Sequence, residues 1–328
     1  MIYFDMTKTG SGGHQSGLMR VSARLRAAMG DAAQPVEWTG GGWRKAPEGA
    51  PIELTAADWL LTVELFSERE RPGFTAWVQK RTCRWAAIFH DAIPLRLPQI
   101  TWPQSVARHP GYMKLLAQCD RVWAVSQASR DELAGYWRWL GLEKAPPVEV
   151  LALGADFDGG PRRSAGAARA PELLCLGILE PRKNQEFLFG VAERLWREGL
   201  KFELHLVGRV NPHFGRPVER RLRELQREFT GLHFYEGADD ATLAGLFATV
   251  RATVFPTRAE GCGLPLIESL WRGVPCVASD LPVLRENAAG GGCVLVPLND
   301  QAVWAAALRR VLTDNAHCTE LATQAATR

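Results

Sequence analysis

The chain has 328 residues, enough for two domains, since single domains commonly hold about 100–150 residues. Hydrophobic side chains make up 46% and charged ones 23%, a globular balance that excludes disordered and low-complexity classes. The net charge of +3 gives no support to a nucleic-acid partner, and no stretch approaches the roughly 18 apolar residues of a membrane span.

The opening MIYFDMTKTG lacks a basic region followed by an apolar core, so a cytoplasmic protein is expected. Seven cysteines, Cys83, Cys119, Cys175, Cys262, Cys276, Cys293 and Cys318, are scattered without C-x-x-C spacing. They read as reduced core residues rather than zinc ligands, and no metal is expected.

Ile2 to Met6 reads as a strand, and the loop TKTGSGGHQSG then opens a helix from Leu18 to Met29. A strand, a glycine-rich loop and a helix start can form an anion site, although the spacing matches neither a P-loop nor a dinucleotide fingerprint. On that helix Leu18, Val21 and Leu25 form an apolar stripe and Arg20, Arg24 and Arg26 a basic one. The first reading is a core-facing amphipathic helix, and the second is weak peripheral contact with anionic lipid.

Further strands are expected at Pro35 to Thr39, Trp59 to Leu65, Trp85 to His90, Arg121 to Ser126 and Val148 to Leu153. Helices are expected near Gly73 to Cys83, Gln104 to Gln118 and Ala128 to Leu140. Strands alternating with helices imply a parallel sheet covered on both faces, with ligands bound beyond the carboxyl ends of its strands. His90 and Asp91 fall at such an end, where a turn cap is the plainer reading of Asp91. Nine of the twelve tryptophans precede residue 140 and read mainly as core.

FDGGPRRSAGAARAP, from Phe157 to Pro171, is rich in Gly, Ala and Arg and reads as a linker. The expected division is therefore residues 1–156, a linker over 157–171, and a second domain over 172–328. LLCLGIL in that domain is an apolar run suited to a buried parallel strand, and EPRKN carries Arg182 and Lys183 at its exit. Arg there can grip phosphate bidentately and Lys adds a point charge, while the plainer reading is two solvated surface cations.

A helix over Gln185 to Arg197, a strand over Phe202 to Val207, a basic helix over Arg216 to Phe229 and a strand over Leu232 to Tyr235 follow. Asp239 and Asp240 belong at a helix N-cap. Strands at Ala252 to Pro256 and Pro275 to Ser279 flank a helix over Pro265 to Arg272, with Gly273 just past its end. Glu260 lies in the loop before that helix and Glu268 one turn inside it, so both carboxylates can face the strand-to-helix turn. Gly261 and Gly263 let backbone approach a ligand, and the N–H groups near Cys262, Gly263 and Leu264 suit an anion. Solvated carboxylates and ordinary turn glycines are the plainer alternative. A strand over Cys293 to Pro297 and a helix after Asp300 finish the domain.

Several of these phrases together resemble retaining glycosyltransferases of family 4. Glu260 and Glu268 are separated by seven residues with GCGLP between them, close to the family's EGFGLP…E, with Cys262 in place of the usual aromatic. GILEPRKN matches the segment of the family's mannosyltransferase-like branch, HDAIPL and VSQASRDEL match two more, and SGLMRVSARL resembles the family's opening helix at Gly17 and Arg20. The resemblance runs from about Ile2 to Thr313 and implies a GT-B fold, two Rossmann-like domains facing a central cleft. The sequence stops at Arg328, before the terminal helix that family members usually carry.

The resemblance further implies transfer of a hexose, first mannose from GDP-mannose, from a nucleotide diphosphate sugar to a glycan or lipid-linked acceptor hydroxyl, with retention. Neither an obligatory metal nor any other cofactor is implied. It assigns Arg182 and Lys183 to the diphosphate, with Gly12, Gly13, Gly17 and the helix start at Cys262, Gly263 and Leu264. Glu260 and His90 are assigned to the donor sugar, Glu268 to the ribose, and Gly208, Arg209, Gly237 and Ala238 to the base. Lys183→Ala is then expected to cost turnover far more than folding. The rival readings are a non-catalytic nucleotide-sugar-binding protein and a GT-B phosphorylase or epimerase.

Overall fold

A computed structural model describes residues 1–8, 17–47, 49–156 and 169–327. Its backbone divides into two units, Met1–Leu153 and Gly154–Arg328. Most of the linker expected over 157–171 lies outside the described residues, as do Gly12 and Gly13.

The first unit runs β1 (Ile2–Asp5), α1 (Gly17–Met29), β2 (Ala33–Trp38), β3 (Trp43–Lys45), β4 (Pro51–Ile52), β5 (Trp59–Thr62), α2 (Phe74–Gln79), β6 (Arg84–Phe89), α3 (Ile93–Arg96), α4 (Pro103–Leu116), β7 (Arg121–Ala124), α5 (Gln127–Trp139) and β8 (Val148–Val150). Its sheet has the order β4-β3-β2-β1-β5-β6-β7-β8. The strands from β2 to β8 in that order are parallel, and β3 and β4 extend the sheet antiparallel. These two short strands were not expected, because glycines and prolines crowd GGWRKAPEGAPIEL and interrupt any alternation.

Aromatic rings fill one side of this sheet. Trp43 is in contact with Trp38 at 5.3 Å between ring centroids and with Trp77 at 5.7 Å, and Phe74 joins them to Trp85 at 5.6 Å. The edge-to-face geometry that dominates this cluster suits the aromatic quadrupole. Two tryptophans break the core pattern: Trp102 and Trp139 are exposed, the latter by 79%.

The second unit runs β9 (Glu172–Leu176), α6 (Gln185–Arg197), β10 (Glu203–Val207), α7 (Gly215–Glu228), β11 (Leu232–Tyr235), α8 (Asp240–Thr249), β12 (Ala252–Phe255), α9 (Leu264–Trp271), β13 (Cys276–Ser279), α10 (Pro282–Ala288), β14 (Cys293–Val296), α11 (Gln301–Thr313) and α12 (Asn315–Ala326). All six strands are parallel, in the order β11-β10-β9-β12-β13-β14. Numbered from β9, that is 3-2-1-4-5-6, the Rossmann order.

Alternation along β9 shows how the sheet is covered. Leu173 and Cys175 join the large core made with α6, α7, α11 and α12, whereas Leu174 packs with Leu246, Phe247 and Val250 on the other face. Successive strand side chains point to opposite faces, so an unbroken apolar run is what a doubly covered strand requires. The sequence reading omitted α10 and α12, although Asp314 caps the latter by accepting from His317 N at 2.9 Å. The seven residues of α10 are too few to show a helical period.

Candidate active site

In the second unit the strand order reverses between β9 and β12, and ligands of such sheets bind outside the carboxyl ends of the strands at that point. β9 leaves through Gly177 into a single helical turn, Pro181–Lys183, which delivers Arg182 and Lys183. β12 leaves into a loop carrying Thr257 and Glu260. Arg258 N donates to the Arg182 carbonyl at 2.8 Å, fastening one loop to the other.

The side chains converge on one oxygen. Glu260 Oε1 lies 2.7 Å from Lys183 Nζ, 3.0 Å from Arg182 Nη1 and 2.7 Å from the Thr257 hydroxyl. Arg182 also donates to the Ala259 carbonyl at 3.0 Å, and its Nη2 lies 2.7 Å from Glu180 Oε1. Burial pushes the Glu260 carboxyl upward, but Lys183 and then Arg182 outweigh it and hold the group below the ordinary carboxylate range. For Lys183 burial dominates and lowers the ammonium, with Glu260 opposing. The Lys183 ammonium also lies 4.8 Å from the centre of the Phe255 ring, a cation–π contact.

This geometry excludes the reading of Arg182 and Lys183 as solvated surface cations. It also adds a folding cost to the loss of turnover expected on truncating Lys183. Lys183 is buried, and its removal weakens the compensation of a buried carboxylate.

α9 begins at Leu264, one residue earlier than expected. Gly263 is its N-cap in the left-handed region at φ 78°, and a Cβ there would sit 2.6 Å from Leu284 Cδ2. Only glycine meets both conditions without strain. Asn287 on α10 donates to the Cys262 carbonyl at 2.6 Å and pins the turn from outside. The Cys262 thiol is pushed up to about 12, first by burial and then by the Glu260 charge. Glu268 is buried on α9, its Oε1 4.0 Å from Arg272 Nη2, so the two carboxylates have different cations about them.

The residues assigned to the base lie at the next two strand exits. Arg209 is exposed after β10, and Gly237, at φ 73°, and Ala238 follow β11. Gly208 has a packing reason to be glycine: a Cβ would fall 2.1 Å from the Gly177 carbonyl oxygen. Asp239 caps α8 as expected, accepting from Thr242 N at 2.8 Å.

Within the first unit, His90 is buried at the exit of β6, with Nε2 2.8 Å from the Val63 carbonyl. That bond fixes Nε2 as the donor of the neutral ring. Burial lowers its basicity. Asp91 caps the following turn by accepting from Ile93 N at 2.9 Å. Gly17 is the first residue of α1. A buried ionic cluster at the exits of β1 and β5 went unread in the sequence. Arg71 pairs with Asp5 and lies 2.9 Å from Glu64, all three nearly inaccessible to solvent. Asp5 lies 66 positions from Arg71, too far to form a local pattern with it; Asp5 closing an apolar strand was the available signal.

Among the described residues no three His, Cys, Asp or Glu side chains form a group that could hold a metal ion. No helix among them is long and apolar enough to cross a membrane.

Residues 170–314 match the family model for glycosyl transferases group 1. The matched residues make up most of the second unit. Serotype-specific mannosyltransferase WbdA of Escherichia coli is 31% identical over 216 residues, 61% of this chain and 26% of WbdA. O-antigen chain mannosyltransferase B, also from Escherichia coli, is 32% identical over 259 residues, 74% of this chain and 65% of the relative. The chain thus spans about a quarter of the first relative's length and somewhat under two thirds of the second's.

Two solved structures share the fold of this chain. Sucrose-phosphate synthase from Thermosynechococcus elongatus matches at TM-score 0.70 and 18% identity, covering 99% of this chain and 93% of that one. Anabaena HepE in complex with UDP and glucose matches at TM-score 0.73 and 15% identity, with the same coverage. The architecture is GT-B.

Proposed function

We propose that the chain is a retaining hexosyltransferase that moves mannose from GDP-mannose to a hydroxyl of a glycan or lipid-linked acceptor in polysaccharide or glycoconjugate assembly. The observation that carries this reading is the convergence of Arg182, Lys183, Thr257 and Glu260 at the switch point of the second sheet. The mannosyltransferase relatives favour the choice of sugar.

In this reading the bond between the anomeric carbon and the phosphate oxygen breaks while the acceptor oxygen bonds to that carbon on the same face, and the acceptor's proton leaves on the departing diphosphate. Negative charge gathers on the departing diphosphate, and donors fixed in advance stabilise it more in the transition state than in the ground state. Arg182, Lys183 and the start of α9 are assigned to that charge. Glu260 is assigned to the sugar and Glu268 to the ribose, with Gly208, Arg209, Gly237 and Ala238 around the base. The diphosphate competes with Glu260 for the two cations, so donor binding frees the carboxylate that then meets the sugar. No resident metal or cofactor is assigned.

The test is a thermal-shift series with GDP-, UDP-, ADP- and dTDP-sugars, followed by incubation of the best donor with acceptor glycans. A ligand at 100 times its Kd stabilises the folded state by about 2.7 kcal/mol. GDP-mannose is expected to give the largest shift and to release GDP when an acceptor is present. Absence of a shift with every nucleotide sugar refutes the reading, and a larger shift with UDP-sugars replaces the donor.

A further inference from the structure

We infer that Glu180, held by Asn211, is the positioning residue that sets the Arg182 guanidinium. This rests on the functional reading above and extends it to a pair of residues that neither the motif spacing nor the resemblance singles out. Glu180 Oε1 lies 2.7 Å from Arg182 Nη2, while Arg182 Nη1 reaches Glu260 Oε1 and the Ala259 carbonyl at 3.0 Å each. The guanidinium is thereby held through both terminal nitrogens, in a plane defined by groups from the exits of two different strands.

The third strand enters through Asn211, whose Nδ2 donates to Glu180 Oε2 at 2.8 Å. Its Oδ1 cannot be exchanged for that Nδ2, because it accepts from His213 N at 2.9 Å and Phe214 N at 3.2 Å where the chain turns toward α7. The backbone repeats the connection: Leu179 N donates to the Arg209 carbonyl at 2.8 Å and Asn211 N to the Leu179 carbonyl at 3.1 Å. The exits of β10, β9 and β12 are thus linked in series by Asn211, Glu180, Arg182 and Glu260.

The consequence is both geometric and electrostatic. An arginine binds a phosphate well only when its fork is presented in one orientation, and a catalytic group displaced by about 1 Å can cost on the order of 100-fold in rate. Glu180 also brings a second carboxylate to the two cations, which tempers their pull on a diphosphate. Removing it takes away the hold on Arg182 Nη2 and makes the site more positive, so turnover falls while nucleoside diphosphate binds more tightly.

The experiment compares Glu180→Ala, Asn211→Ala, Arg182→Ala and the double variant Glu180→Ala/Arg182→Ala in the full chain. Each is measured for donor turnover, for melting temperature, and by calorimetry for affinity toward the tightest binder among GDP, UDP, ADP and dTDP. Glu180→Ala is expected to lower kcat about tenfold and strengthen nucleoside diphosphate binding a few-fold, and Asn211→Ala to lower kcat less, since it keeps the carboxylate. In the Arg182→Ala background the Glu180 change is expected to alter the rate no further, the signature of a residue acting through another, while loss of its charge beside Lys183 still tightens nucleotide binding.

Multiplied losses of kcat in the double variant overturn the inference, as do unchanged kcat and affinity in Glu180→Ala. A fall in melting temperature with kcat and affinity preserved makes the contact merely structural and overturns it too. Arg182→Ala with wild-type turnover, or a wild-type chain that binds none of the four nucleotides, instead refutes the functional reading and takes this assignment with it.

Discussion

Replacing Lys183 by Met separates what the lysine does for folding from what it does for chemistry. The methionine keeps the aliphatic stem that lies over Gly177, where a glycine Cβ would already be 3.3 Å from Lys183 Cε, so the change leaves little cavity. What it removes is the ammonium 2.7 Å from Glu260 Oε1. Glu260 keeps Arg182 and the Thr257 hydroxyl, which places the cost near the lower end for a broken buried pair, about 3 kcal/mol. With a urea dependence of about 2 kcal/mol per molar, the unfolding midpoint of the second unit falls by roughly 1.5 M. Adding Glu260→Gln to the same chain removes the carboxylate left undercompensated, and at least half of that loss is expected to return. Turnover does not return: Lys183→Met and the double variant are each expected to lose roughly 100- to 1,000-fold, as when an oxyanion donor is deleted. Urea titration followed by circular dichroism and a donor-release assay measure the two quantities. A Lys183→Met chain as stable as wild type, or a double variant less stable than the single one, refutes the reasoning.

Arg71→Met removes the cation shared by two buried carboxylates, Asp5 and Glu64, and is expected to destabilise the first unit by about 3–5 kcal/mol; chemical denaturation of the variant checks it, and a loss below 1 kcal/mol contradicts it. Gly208→Ala puts a methyl 2.1 Å from the Gly177 carbonyl oxygen and is expected to cost about 3 kcal/mol or more, beyond ordinary overpacking, with an unchanged melting temperature as the contrary result. His90, His109 and His205 all have basicity lowered chiefly by burial. Their folded-state pKa values lie below the unfolded value of about 6.5, so the unfolded chain takes up protons first and stability falls as pH drops through that value. Urea midpoints at neutral and mildly acidic pH check the sign; a midpoint that rises on acidification contradicts it.

Which parts of this molecule could be read from its sequence depends on how far apart the cooperating residues lie. The strand over LLCLGIL and the helix ended by Gly273 were legible because period, cap and breaker act within a few neighbours. Arg182 and Lys183 could be placed at a strand exit, but their meeting with Glu260 is fixed by β9 lying beside β12 in the sheet, a matter of topology rather than spacing. Thr257 carried a faint signal, a hydroxyl three residues before a carboxylate at the end of an apolar strand. Glu180 lies within the GILEPRKN phrase, but its link to Asn211, 31 positions away, is made only by the neighbouring exits of β9 and β10. The same holds for Arg71, whose partner Asp5 is 66 positions away.

The two units also differ in their optical character. Trp38 and Trp43, 5.3 Å apart and inclined at 67°, are close enough for their excited states to couple. Trp196 instead stacks flat on Phe202 and Phe229, at 5.0 and 4.9 Å. Exciton dichroism in the near ultraviolet therefore reports on the amino-terminal half of the chain, so a single spectral titration can follow its melting separately from that of the half proposed to hold the nucleotide.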